Sequence, residues 1–285
     1  MKRLGSDASI DLERPSQARI YDYLLGGSHN FAVDREAARQ LIAMVPDVPL
    51  VAQANRAFLR RAVLFLVDAG IRQFLDIGSG VPTVGNVHEV AHRAAPESRV
   101  VYVDVDPMAV AEGRQILAGN DRTTVIEEDA RRPERILTHP AVRELIDFGR
   151  PVGLLLASLL HFIPDADDPA AIVAALRDAV APGSYVVISH VTSDSRPTAS
   201  TAVAAANQHS AMFASARTSA EVERLFAGFE LVEPGLVPVE QWRPEPANGR
   251  RDGREPLCMH AGVGYKTDPQ AGQPRLNEND CAIGG

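Results

Sequence analysis

Lysine and cysteine are scarce in this chain, and each shortage argues against a class of function. Lys2 and Lys266 are the only lysines among 285 residues, and 37 acidic residues outnumber 29 basic ones for a formal net charge of -8. A surface that tracks nucleic-acid phosphates needs clustered Lys and Arg, so nucleic acid is not expected as the main partner. The two cysteines, Cys258 and Cys281, lack metal-ligand spacing and form no disulfide framework, which points to a reducing compartment and no bound metal. Residues 1–9 hold no apolar core of signal-peptide length, and no hydrophobic run approaches the length that spans a bilayer. A cytoplasmic location without membrane contact is the expectation. What is present is an ordinary globular composition, 45% hydrophobic and 23% charged. That length can bury one large core, or a core with a modest helical addition.

Arg14-Pro15-Ser16 opens a helical segment in which Ala18, Tyr21, Leu24 and Leu25 recur at helical spacing, and Gly26-Gly27 ends it. Asp34 reads as the N-cap of a second helix through Val45, which Pro46 and Pro49 break. A third helix, Val51 to Asp68, carries Phe58, Leu59, Ala62, Val63, Leu66 and Val67 on one face. Two readings of these helices stay open: packing on one sheet face, or roofing a ligand pocket. From residue 72 strands and helices alternate, with strands at Gln73–Ile77, Arg99–Val103, Thr124–Glu127, Val152–Ala157 and Tyr185–Ser189, then Phe229–Val232 and Leu257–Lys266. Such units imply a mostly parallel sheet with right-handed crossovers. The expected division is a helical cap over 1–70, an α/β domain over 71–266 and a disordered tail over 267–285. Residues 198–216, rich in Ala, Ser and Thr, read as helical, with a lid over the site as one role open to them.

The chain is organised around Phe74-Leu75-Asp76-Ile77-Gly78-Ser79-Gly80, a short buried strand followed by a glycine turn that lets backbone approach a ligand closely. A dinucleotide site would bring a pyrophosphate dianion here, and the Asp76 carboxylate would repel it. An acid at this point suits a ligand with a cationic head, such as S-adenosylmethionine, which carries a sulfonium and an ammonium but no phosphate. Open parallel sheets bind ligands beyond the carboxyl ends of their strands. Asp76, Asp104, Asp129, Ser158, His161 and His190 all fall at those ends. Asp104 is placed to accept hydrogen bonds from both ribose hydroxyls, and Asp129 to take the adenine amino group while the Ala130 N–H meets a ring nitrogen. Gly78 and Gly80 permit close approach, and Asp76 acts on the methionine moiety. A nicotinamide site shares the ribose-binding acid but calls for glycine at Thr83 and no carboxylate at position 76.

The segment Phe74–Gly80, the strand end at Asp104, the Glu128-Asp129-Ala130 turn and Gly228-Phe229-Glu230-Leu231 resemble a class I S-adenosylmethionine-dependent methyltransferase. More narrowly, Tyr21-Asp22-Tyr23-Leu24-Leu25-Gly26-Gly27, Asn30-Phe31, Asp34-Arg35, Pro82-Thr83 and Asn86-Val87-His88-Glu89 resemble the S-adenosyl methyltransferase family formerly listed as a domain of unknown function. The resemblance covers residues 14–266 and implies a Rossmann-like seven-stranded α/β sheet, its last strand antiparallel, with an N-terminal helical extension. It also implies S-adenosyl-L-methionine as cofactor and Asn30 as part of the donor site, and leaves the methyl acceptor undefined; a small molecule is the leading expectation for it. Pro82 stands where the wider class has a third glycine. Arg56 and His88 are candidates for the donor carboxylate, with a surface or packing role as the alternative for each. A general base is needed only if the acceptor must lose a proton early, and His161, His190, His29 and Tyr21 are the candidates. A catalytically silent donor-binding or regulatory protein is the alternative function, and an NAD(P)-dependent oxidoreductase a distant one.

Overall fold

A computed structural model describes residues 11–82, 85–194, 214–245 and 256–268. Thr83, most of the segment expected to be helical over 198–216 and the tail from 269 lie outside the described residues. Three helices lead the chain: α1 (Gln17–Leu24), α2 (Ala32–Met44) and α3 (Val48–Asp68). Pro49, expected to end the second helix, instead sits in the first turn of α3, where its missing N–H costs nothing. Asp34 is not the N-cap of α2. That position belongs to Phe31, and Asp34 sits three residues further on, accepting the Phe31 N–H at 2.8 Å.

The sheet contains β1 (Gln73–Ile77), β2 (Arg99–Asp104), β3 (Thr123–Glu127), β4 (Gly153–Ala157), β5 (Tyr185–Val191), β6 (Glu230–Leu231), β7 (Val237–Pro238) and β8 (Met259–Tyr265). Its order is β3-β2-β1-β4-β5-β8-β6, with β7 also paired to β8. The first five strands run parallel, and β8 is antiparallel to β5. The seven-place order is therefore present, with an eighth strand on the β8 edge. There the edge chain advances from Leu231 to Val237 while β8 passes only from Gly264 to Ala261, so β6 and β7 read as one interrupted edge. Intervening helices are α4 (Val87–Ala94), α5 (Pro107–Ile116), α6 (Pro133–Thr138), α7 (Pro140–Leu145), α8 (Pro169–Ala179) and α9 (Ser219–Arg224). The order reverses between β1 and β4, which opens a crevice at their carboxyl ends.

Helix α3 belongs to the sheet's own core. Its Phe58, Ala62, Val63 and Leu66 are fully buried with Phe74, Leu155, Val187 and Val263, and Trp242 meets Phe58 edge-on at 5.4 Å between ring centroids. Full burial of each of these side chains larger than alanine contributes about 1.5–3 kcal/mol. Helices α1 and α2 instead share a small cluster of Ile20, Leu24 and Ala38 with Ala52 of α3. What ties them down is polar: Arg19, nearly fully buried, gives Nε–H to Asp34 Oδ2 at 2.8 Å, and Asp34 also accepts the Ser16 N–H at 3.0 Å. Ser16 donates its hydroxyl to Asp106, the residue that caps α5, so the helical lead is joined to the loop after β2.

Candidate functional site

A cavity of about 700 Å³ opens at the carboxyl ends of β1, β2, β3 and β4 and is covered from above by α1 and α3. Tyr21, Arg56, Asp76, Gly78, Gly80, Asp104, Asp129, Ala130, Ser158 and His161 all line it. Gly78 and Gly80 have φ of 74° and 70°, backbone that disfavours any residue with a Cβ. A Cβ on Gly78 would also lie 2.6 Å from the Leu159 side chain, whereas one on Gly80 would meet nothing within 4 Å. The turn thus leaves room beside Gly80 for a ligand to lie against main chain.

Two buried carboxylates give the floor its charge. Burial pushes the Asp76 carboxyl up to about 7, opposed by the Arg56 guanidinium and reinforced by Asp104. Burial likewise raises Asp104, to about 6, even though Oδ2 accepts the Gly80 N–H at 2.7 Å and Oδ1 the Asp106 N–H at 2.9 Å. Each carboxylate oxygen has two lone pairs, so Asp104 keeps acceptor capacity after holding the turn in place. Asp129 is drawn the other way: Arg131, 2.5 Å away at its closest, holds its carboxyl below the usual range. A phosphate would lie against two buried carboxyls here. A ligand with cationic groups, a ribose and no phosphate avoids that contact, so the residues present fit S-adenosylmethionine.

His161 lines the cavity, is buried, and has an Nδ1 with no hydrogen-bond partner among the described residues. Burial, His190 and Arg217 hold its pKa well below the ordinary imidazole range, so the ring is neutral near pH 7. His190 is not among the cavity-lining residues. Its Nδ1 donates to the Val191 carbonyl at 2.7 Å and its Nε2 accepts from Arg217 at 2.8 Å, and burial takes its pKa down to about 4. Tyr21 lines the cavity, its hydroxyl donates to the Ala52 carbonyl at 3.1 Å, and burial raises its pKa. His29 faces Asp22 and Glu112, at 3.9 and 3.6 Å.

Asn30 and His88 also lie off the cavity. Asn30 donates to Asp22 at 2.8 Å and to the Gly27 carbonyl at 3.0 Å, which shapes the α1–α2 loop. The His88 ring meets the Tyr102 hydroxyl at 2.8 Å behind the glycine turn. Sequence reasoning missed Asn55, Ser189 and Arg217. Buried Arg217 binds the carbonyls of Leu160 and Ile163, both at 2.9 Å, and Asp165 at 2.6 Å, bracing the wall that carries His161. For Asn55 a signal existed: it is a polar residue at a core position of α3, between Ala52 and Phe58. Ser189 and Arg217 carried none, because their partners are distant in the chain.

This combination, an open α/β sheet with an antiparallel penultimate strand and a phosphate-repelling crevice at its switch point, defines a class I methyltransferase architecture. The S-adenosyl methyltransferase family matches residues 4–267, and the chain belongs to that family, whose cofactor is S-adenosylmethionine. A candidate methyltransferase from Thermobifida fusca YX is 43% identical, with a TM-score of 0.86 over 91% of this chain and 97% of that one. A DUF574 family protein from Streptomyces avermitilis MA-4680 is 41% identical, with a TM-score of 0.84 over 90% and 100%. An O-methyltransferase family protein from Burkholderia thailandensis, at 13% identity and a TM-score of 0.50 over 87% and 64%, shares the fold. No protein of curated function matches the chain.

Proposed function

We propose that this protein transfers the methyl group of S-adenosylmethionine to a small-molecule acceptor in the cytoplasm. The observation that carries the reading is the pair of buried carboxylates, Asp76 and Asp104, in one cavity beside a glycine turn open to a ligand. In this reading Asp104 holds the ribose, Asp129 and the Ala130 N–H hold the adenine, and Asp76 attracts the amino end of the donor. Gly78, Gly80 and Ser158 supply close backbone, and Arg56 takes the donor carboxylate. The bound cofactor supplies an activated methyl on a sulfonium, so the protein's share is mainly to align the partners and exclude water.

The acceptor space lies under the N-terminal helices, where Leu24, Leu41, Val45, Val48, Val51 and Leu59 line the cavity. Such a lining favours an acceptor with an uncharged, apolar body. Of the four candidate bases, His161 is the one that combines a cavity position with a neutral ring and a buried nitrogen lacking a partner. Calorimetry with S-adenosylmethionine, S-adenosylhomocysteine and NAD tests the donor assignment. Both sulfur ligands should bind and NAD should not; the reverse pattern would sink it. Labelled donor with a metabolite extract then separates an enzyme from a silent binder, which would bind donor and never release label to another compound.

A further inference from the structure

Groups from the sheet and the N-terminal helices join in one hydrogen-bonded chain that runs from Ser158 to Ala52. The backbone N–H of Ser158 meets the Ser189 hydroxyl oxygen at 2.8 Å. An amide N–H only donates, so the hydroxyl accepts there, and its own proton goes to Asn55 Oδ1, 2.6 Å away. With Oδ1 engaged as the acceptor, Asn55 Nδ2 donates to the Tyr21 oxygen at 2.9 Å. The phenol proton then goes to the Ala52 carbonyl at 3.1 Å. The buried carboxamide thus presents Oδ1 to Ser189 and Nδ2 to Tyr21. Asn55 and Ser189 are buried, and Ser158 stands at φ 57°, a left-handed conformation at the mouth of β4 that few non-glycine residues adopt.

The consequence falls on Tyr21. With one lone pair taken by Asn55 and its proton given to Ala52, its hydroxyl can offer the cavity only an acceptor. Tyr21 and Asp76 both line the cavity, and so does Arg56, which follows Asn55 on α3. An ammonium has only donors, so the Tyr21 oxygen and the Asp76 carboxylate suit it, while Arg56 suits the carboxylate of the same amino-acid end.

Building on the donor-site reading above, we infer that Asn55 is a positioning residue which, held by Ser189, fixes the Tyr21 hydroxyl as an acceptor for the α-ammonium of the methyl donor. Tyr21 is then a binding group that keeps its proton, and Asn55 acts through it. The arrangement also makes donor binding report on the contact between the helical lead and the sheet, since the chain of bonds crosses from one to the other.

The test compares two ligands that differ only in the amino group: S-adenosylhomocysteine and its deamino analogue, S-adenosyl-4-thiobutyrate. Calorimetry on the full-length protein should show Tyr21→Phe weakening S-adenosylhomocysteine roughly tenfold while changing the deamino analogue less than about twofold. Asn55→Leu should give the same selective loss, and the double variant should lose no more than Tyr21→Phe alone. Ser189→Ala, which frees the carboxamide to turn, should show a smaller loss of the same selectivity and carries the test if Asn55→Leu does not fold. Equal losses for both ligands would make the relay merely structural, and an unchanged affinity for S-adenosylhomocysteine would remove Tyr21 from the ammonium; either overturns the inference. Wild-type protein that binds neither ligand would instead overturn the donor-site reading itself.

Discussion

At the scale of single residues, the unusual feature is a carboxyl at Asp76 that burial lifts to about 7. A protonated Asp76 cannot attract a cation, so donor binding requires the form that predominates above that value. Between pH 6 and pH 8 the ionised fraction rises roughly tenfold, and affinity for S-adenosylmethionine should rise by about the same factor. Calorimetry across that range checks it, with Asp76→Asn as the control whose profile should be flatter and whose affinity should be low throughout. A variant profile as steep as wild type would move the titration to another group. Folding stability is a poorer probe of the same carboxyl. Its raised value stabilises the ligand-free fold below the ordinary carboxylate range, and that contribution is lost as pH rises through about 7. His190, lowered to about 4, works in the opposite sense: its contribution is present above the ordinary imidazole range and is lost as pH falls. The two partly cancel between them, so ligand affinity isolates Asp76 where a melting curve would not.

At the scale of elements, α1 and α2 are held more by a buried ion pair than by apolar contact. Asp34 accepts from Arg19 Nε and from the N–H groups of Ser16 and Phe31, and the Arg19 guanidinium also reaches the carbonyls of Asp11 and Arg14. Asp34→Ala takes the closer carboxylate from a buried cation, with Asp106 remaining 3.7 Å away, and should cost about 3–5 kcal/mol in urea unfolding. Arg19→Met, which keeps the Asp34 bonds to the Ser16 and Phe31 N–H groups, should cost less; the opposite ranking would mean that the further contacts of Arg19, to Asp106 and to the carbonyls of Asp11 and Arg14, outweigh those backbone bonds. Asp34 also marks what could be read in advance and what could not. Its place near a helix start was legible, because capping is a local rule with a short sequence signature, but its main partner, Arg19, is brought to it by the fold. The glycine turn and the five parallel strands were legible for the same reason, each an apolar run bounded by turn residues. Helices α6 and α7, six residues each, are too short to show a period, and the edge formed by β6 and β7 is too interrupted to alternate. Among the site residues, the acids at strand ends follow from topology. The Asn55–Ser189 contact joins positions 134 apart and exists only once α3 has packed across β5.

Over the whole molecule, these observations describe two regions of unequal strength sharing one cavity. The large clusters bind α3, α4 and α5 to one face of the sheet and α6, α7 and α8 to the other, whereas α1 and α2 share a core of few side chains. Local opening free energy scales with buried apolar contact, so the helical lead should open more readily than α3 although it is covalently continuous with it. The cavity nevertheless takes part of its wall from α1 through Ile20, Tyr21 and Leu24. A ligand bound there stabilises only the form in which α1 is docked, by an amount set by its concentration relative to its dissociation constant. Hydrogen exchange should therefore show α1 and α2 amides exchanging at least about tenfold faster than those of α3 in the free protein. Saturating S-adenosylhomocysteine should slow α1 by a larger factor than it slows α3. Uniform rates in the free protein would mean that the polar ties through Arg19, Asp34 and Asp106 already make the lead part of a single cooperative unit. Faster exchange confined to the lead, unchanged by ligand, would mean instead that the donor is held by the sheet-end loops and α3 alone.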